Sequence, residues 1–321
     1  MWFEVDKVGL GKILEQRGMK FVLFELLQNA WDQNVSRVER TLNKELGSRY
    51  ATVRVEDDDP DGFKDMPHGW TLFAESNKKS DAQKRGRFNL GEKLVLAVCE
   101  EVELVTTSGG VRFDAAGRHR LRKRRECGSA LTGRLKMTNE EMDECVAAMD
   151  SLIPPAESDG IVTTFNGRVL SPRSPLTSFE ASLQTVVADA EGNLRLRTRK
   201  TTVMVYQPRP GENGTLYEMG MPVLETGDTY HVDVLQKLPL NFDRDNMPPS
   251  YLRALRRLDL NVVYPSFSET DSSAERVRGT LGYAAFSPEA IRSAAAGLVG
   301  NKAVVLPPAS SWHCNHTLDK V

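Results

Sequence analysis

Glu25, Asn29 and Asp32 are spaced i, i+4 and i+7 within Phe21 to Asp32, which reads FVLFELLQNAWD. On a helix of 3.6 residues per turn that spacing lines a carboxylate, an amide and a second carboxylate along one narrow stripe. Val22, Leu23, Phe24, Leu26, Leu27, Ala30 and Trp31 cover more than half of the circumference, a wider apolar face than a helix meeting bulk water needs. The polar line is therefore expected to look inward onto a cavity. Carboxylates buried there call for a cation, ordered water or a polar ligand, and Mg²⁺ with a nucleotide would satisfy all three groups. The competing reading is an amphipathic core helix whose thin polar side faces solvent.

Two later pieces bear on the choice. Ala51 to Glu56 alternates as a strand does and runs into Asp57, Asp58 and Asp59, after which Pro60 and Gly62 force a turn. A carboxylate fixed at a strand end can accept from a ligand amine, while a glycine lets the backbone come close; taken alone, such a turn is usually a solvated loop. Further on, Gly86 and Gly91 flank Arg87, Phe88, Asn89 and Leu90, and a helical run from Glu92 to Cys99 follows. Backbone amides at a glycine-rich helix N-terminus form an anion site.

In this order the three pieces resemble the N, G1 and G2 boxes of the GHKL ATPases, the superfamily of gyrase B subunits, heat-shock-90 chaperones, histidine kinases and MutL proteins. ELLQNAWD is similar to E-x-x-x-N-A-x-D, and VEDDDPDGF to D-x-G-x-G. The resemblance implies an α/β fold: a Bergerat-type α/β sandwich ATPase domain over residues 1–170 with a lid around 64–91, then a smaller transducer-like α/β domain over 176–321. It also implies ATP and Mg²⁺ as ligands. In that scheme Glu25 positions and deprotonates the attacking water, Asn29 coordinates Mg²⁺, and Asp32 orients groups near the base pocket. Asp58 accepts from the adenine amine beside Gly62, and Gly86, Asn89, Leu90 and Gly91 hold the phosphates. Asp58 is preferred to Asp57 because it leaves a glycine before Phe63, although Pro60 then stands in the first glycine position. Asn89 also stands where the chaperones carry a glycine.

A fourth box, G-T-x-V, is matched to Gly160-Ile161-Val162-Thr163, with Thr163 shifted from the usual place of the threonine. Gyrase-like members return a lysine from the transducer domain to the γ-phosphate on a loop after a glutamine, and Gln236-Lys237 gives Lys237 that role. The implied activity is hydrolysis of ATP to ADP and phosphate, coupled to domain closure, with a nucleotide-dependent homodimer and a DNA or protein client. Lys78, Lys79 and Arg87 in the lid are further candidates to reach a phosphate. Small proteins of this type are common in bacteriophage genomes, which makes a phage the expected source. The alternatives are a regulatory module that binds nucleotide without turnover, and a histidine-kinase-like phosphotransferase. The latter needs a phosphoacceptor, and none of His68, His119, His231, His313 and His316 sits in a convincing acceptor helix.

The 321 residues suggest two domains, and 40% hydrophobic with 27% charged residues is ordinary for a globular chain with a sizeable core. No apolar run approaches the length of a membrane span, so a cytoplasmic protein without membrane contact is expected. Cys99, Cys127, Cys145 and Cys314 show no C-x-x-C spacing and read as reduced thiols. His313, Cys314 and His316 cluster in a polar tail, more often incidental than a metal site. The tail finishes without an evident cap, as a truncated chain would. Ser108-Gly109-Gly110 marks a hairpin between strands at 101–107 and 111–114. The basic run Arg118 to Glu126 fits a charge-protected edge strand better than a nucleic-acid site, given a net charge of −2. Thr138-Asn139-Glu140-Glu141 opens a helix with a capping box, and residues 171–175 pass to the second unit. Strands are predicted at 161–165, 194–206, 216–219 and 230–235, and helices after Pro248-Pro249 and after Ser287-Pro288.

Overall fold

A computed structural model describes residues 6–15, 18–63, 66–71, 80–86, 91–189, 191–241 and 247–263. The helix predicted after Ser287 and the histidine and cysteine tail lie outside them, as do Lys78, Lys79, Arg87, Asn89 and Leu90. The described chain is mixed α/β, with an eight-stranded sheet, a five-stranded sheet and five α-helices.

The first sheet contains β1 (Arg37–Lys44), β2 (Tyr50–Asp57), β3 (Cys99–Thr106), β4 (Gly109–Asp114), β5 (Gly117–Leu121), β6 (Ala130–Lys136), β7 (Val162–Phe165) and β8 (Arg168–Val169). Their spatial order is β5-β4-β3-β6-β2-β1-β7-β8. All pairs are antiparallel except β1 with β7, where Arg37 to Arg40 run alongside Val162 to Phe165. The period of two is plain in β2, where Ala51, Val53 and Val55 turn inward and the residues between them do not. Over that inward face lie α2 (Lys20–Trp31) and α4 (Asn139–Asp150), with α1 (Lys7–Glu15) and α3 (Gly91–Val98) packed against each other. Leu27, Val38, Val53 and Leu135 are essentially inaccessible; burial of each such side chain contributes about 1.5–3 kcal/mol. Arg40 breaks the pattern: it is fully buried with its guanidinium over the Phe165 ring, and desolvation pushes its pKa down to about 9.

Local signals are followed closely here. Thr138 accepts from the Glu141 amide at 3.1 Å while its own amide donates to the Glu141 carboxylate at 2.7 Å, a complete capping box. The predicted hairpin forms, with its turn at 107–108. The basic run supplies the edge strand β5. Arg118 stacks over Trp70, Lys123 pairs with Glu103 and Arg125 with Glu56, so part of its charge is used within the fold.

The second sheet runs β12-β11-β13-β10-β9. It is built from β9 (Thr177–Ala188), β10 (Leu194–Tyr206), β11 (Thr215–Glu218), β12 (Met221–Glu225) and β13 (His231–Val234), with α5 (Pro249–Val263) on one face. The two sheets touch through backbone and side chain. The Ile153 amide donates to the Gly220 carbonyl at 3.0 Å, the Lys237 amide to the Ala82 carbonyl at 2.9 Å, and the Tyr217 hydroxyl to the Ser151 carbonyl at 2.8 Å. Among the described residues no helix is long and apolar enough to cross a membrane.

Candidate functional site

A cavity of about 180 Å³ opens between α2, the acidic end of β2, the short 3-10 turn Met66–Gly69, and the start of α3. A single water needs about 10–15 Å³ on the same measure, so the space suits a small organic molecule rather than a lone ion. Its walls are of two kinds. Leu26, Val55, Leu96, Leu104, Phe113 and Leu131 form an apolar part, while Glu25, Asn29, Asp57, Asp59, His68 and Ser129 bring polar atoms to its edge. This is the usual make-up of a small-molecule site.

Of the helical stripe, Glu25 and Asn29 border the cavity, joined one turn on by Gln33. Asp32 does not. It sits at the C-terminal end of α2 with its side chain almost wholly buried, accepting from the Arg85 amide at 3.0 Å, the Arg85 guanidinium at 3.2 Å and the Gly86 amide at 3.1 Å. The carboxylate instead fixes the chain that forms one wall of the cavity. Gly86 lies in that wall, and its amide is spent on Asp32 rather than held out to a phosphate. Gly91, the first residue of α3, borders the cavity directly against Glu25; a Cβ there would lie 2.1 Å from the Glu25 carboxylate. A side chain at 91 would therefore displace the Glu25 carboxylate from its present position.

β2 ends at Asp57, whose side chain keeps the phase of Ala51, Val53 and Val55, and the two aspartates that follow lie in the turn beyond it. Asp57 and Asp59 border the cavity. Asp58, the one preferred from sequence, faces away, accepting from the Ser36 and Arg37 amides at 2.9 Å each and from the Ser36 hydroxyl at 2.5 Å. Burial pushes the Asp58 carboxyl up, but these donors outweigh it and hold it below the usual range. Asp57 shows the reverse balance. Burial raises its carboxyl, and the amides of Asp59 and Ser129, both at 3.1 Å to Oδ1, only partly offset that. A partly dehydrated carboxylate at a cavity edge is stabilised by a further donor from a ligand. Gly62, at φ +60°, closes the acidic turn beside it, so that Phe63 also reaches the cavity.

The expected fourth piece lies elsewhere. Thr163 is buried on β7, where its hydroxyl accepts from the Trp31 indole at 3.0 Å, and it does not border the cavity. β7 pairs with β1 and does not adjoin β2, which lies between β1 and β6, and the residues entering β6, Gly128 and Ser129, meet Asp57 instead. A Cβ on Gly128 would stand 1.8 Å from the Asp57 carbonyl, and its φ is +72°. The sequence Gly128-Ser129-Ala130-Leu131 carries the signal, a glycine and a hydroxyl residue opening an apolar strand.

Lys237 is fully buried and is not among the cavity-lining residues. Its amide holds Ala82, in the segment 80–86 that ends at the cavity wall. A second link to the other sheet went unread in the sequence. Arg85 stacks over the Trp31 ring at 5.1 Å and donates through Nε and Nη2 to the Met219 carbonyl at 3.0 and 2.5 Å. One arginine thus joins α2, the cavity wall and the β11–β12 turn.

Among the described residues no three His, Cys, Asp or Glu side chains are grouped to hold a metal ion by themselves. Mg²⁺ carried by a nucleotide needs less, since it takes most of its ligands from phosphate and water and only one or two from protein. An amide oxygen such as that of Asn29 fits this demand. No protein-family profile matches the sequence, and no curated protein matches it either.

Proposed function

We propose that the chain binds ATP in this cavity and hydrolyses it as a nucleotide-driven switch of the GHKL type, its first sheet being of the Bergerat kind. The observation that carries the reading is convergence. Glu25 and Asn29, Asp57 with Gly62, Gly86 with Gly91, and Ser129 are far apart in sequence and border one cavity, in the order of the superfamily's boxes, although with Asp57 in place both glycine positions of D-x-G-x-G are aspartates. In this reading Asp57, rather than Asp58, accepts from the adenine amine, and Ser129 stands for the threonine of the G-T-x-V box. The apolar wall from Leu104, Phe113 and Leu131 takes the base. Asn29 would hold Mg²⁺, which neutralises charge on the phosphates when bound. Glu25 orients and deprotonates the attacking water.

The contacts of Arg85 with Met219 and of Lys237 with Ala82 support a route by which the second, transducer-like unit follows the state of the cavity. Lys237 would serve the γ-phosphate only after a rearrangement. Its burial away from the cavity favours a second reading, nucleotide binding without turnover, and one experiment separates the two. Glu25→Gln is expected to bind ATP as the wild type does and to release phosphate at least 100-fold more slowly, the usual scale for removing a general base. Equal turnover in the variant would remove Glu25 from the mechanism; absence of turnover in the wild type with ATP bound would select the binding module.

A further inference from the structure

The 3-10 turn Met66–Gly69 closes one side of the cavity through His68 and Gly69. It sits hard against the apolar wall, since a Cβ on Gly69 would meet Leu104 Cδ2 at 3.2 Å and Phe63 Cε1 at 3.7 Å. The Trp70 amide, the Thr71 amide and the Thr71 hydroxyl donate to the Pro67 carbonyl at 3.2, 3.0 and 2.8 Å. These bonds shape the turn and do not tie it to the sheet. Trp70 does reach the sheet. Its half-buried ring meets Phe113 edge-on, with centroids 5.8 Å apart and planes at 62°, a geometry that aromatic pairs prefer. Phe113, on β4, is itself part of the cavity wall. Its cross-strand partner on β5 is Arg118, whose guanidinium carbon stands 4.5 Å from the centre of the Trp70 ring.

We infer that Trp70 is the latch of the cavity: its release from Phe113 and Arg118 lets the turn move out and a ligand pass, and Arg118 sets how long the cavity stays shut. The turn is the part of the wall suited to this. The other walls come from α2, α3 and sheet strands, which are fixed by their ladders and by the core beneath them, whereas residues 66–69 form a single turn seated on side chains. Each of the two Trp70 contacts is weak, shifting an equilibrium by about 2- to 10-fold, so opening is accessible and closure is still favoured. Trp70 and Arg118 are positioning residues, since neither borders the cavity. The inference rests on the nucleotide reading only for its probe, because a latch acts on whatever ligand enters.

The first test is stopped-flow exchange of the fluorescent analogue mant-ATP. Arg118→Ala should speed its release about 2- to 5-fold, and Trp70→Ala about 10-fold or more. Association should accelerate by the same factor and leave the affinity unchanged, the signature of a gate that opens with and without ligand. Arg118→Lys keeps a cation over the ring and should restore most of the wild-type rates. Arg120→Ala, two residues along the same face of β5, should leave them unaltered. Faster release with unchanged or slower association would make Trp70 a strut of the wall and overturn the proposal. The second test uses no nucleotide. Hydrogen exchange of the peptide covering 66–71 should quicken in Trp70→Ala and Arg118→Ala and not in Arg120→Ala; equal protection in the wild type and all three variants would overturn the latch. A wild type that binds no mant-ATP would defeat the nucleotide reading alone, and the exchange measurement would still decide the latch.

Discussion

The two sheets bury charged groups to opposite ends. In the second sheet Glu212, His231 and Arg173 answer one another. Arg173 makes two bonds to the carboxylate at 2.6 and 2.8 Å, and His231 Nε2 lies 3.0 Å from it. The Thr215 amide donates to Nδ1, which leaves the proton on Nε2 and fixes the tautomer. Burial pushes the Glu212 carboxyl up, but these partners outweigh it and hold it at about 2. In the first sheet Asp57, Asp59, Glu25 and Asn29 are instead gathered around a cavity. Both places shift pKa values, and among the described residues the cavity of about 180 Å³ lies at the first sheet's group. A perturbed group is therefore a poor guide to a site until the space beside it is known.

The contrast can be broken most forcefully at Arg173. Arg173→Ala leaves the half-buried Glu212 carboxylate and the His231 imidazole without their partner, and the loss of two charge-assisted hydrogen bonds at about 1.5 kcal/mol each should lower the unfolding free energy by about 3 kcal/mol, read by urea denaturation, with nucleotide affinity unchanged. A matching fall in affinity would mean that the two regions are not separate.

Asp233 tests the connection between them. It is wholly buried, accepts from the Gly220 amide at 3.0 Å, and burial raises its pKa from 3.8 to about 6. The unfolded carboxyl ionises first, so stability is highest below pH 3.8, falls as pH rises towards 6, and stays lower above it. The drop is about 3 kcal/mol at most, at roughly 1.4 kcal/mol per pKa unit. Asp233→Asn keeps an oxygen for Gly220 and should flatten this part of the profile. Melting curves of wild type and variant that run parallel from pH 4 to 6 would exclude Asp233 as its source.

The smallest effects concern the neighbouring aspartates. Asp57→Asn should weaken ATP binding by about 10-fold or more, about 1.4 kcal/mol, at little expense of stability. Asp58→Ala should do the opposite, costing about 1 kcal/mol through the Ser36 and Arg37 amides and sparing affinity. Calorimetric titration together with thermal melts reads both, and an exchange of the two phenotypes would restore Asp58 to the site.

That pair also shows where sequence reading stopped. The stripe on α2 was legible because helical periodicity is local, and Glu25 and Asn29 do border a cavity. That Asp32 holds the cavity wall instead of bordering the cavity was not legible, since its partner, the segment at Arg85 and Gly86, lies more than 50 residues away. The choice of Asp58 followed the glycine pattern, while the phase of β2 followed its register against β1 and β6. Thr163 matched a motif on β7, but β7 adjoins β1 and not β2, whereas β6 adjoins β2 and brought Ser129 to Asp57. The long strand β9 passed unread between Ser171 and Leu194, although Ala181, Leu183 and Val187 alternate inward along it.

Composition and short-range pattern alone fixed that this chain has a polar-striped apolar helix, an acidic strand end, glycines ahead of a second helix, a capped α4 and a charged edge at β5. Each of these depends on residues within a turn or two of one another. Which aspartate meets the cavity, which hydroxyl stands beside it, and how Arg85 ties the wall to the second sheet were settled by tertiary structure. Strand order and register are set by the pairing of distant segments, and a shift of one residue sends a side chain to the other face.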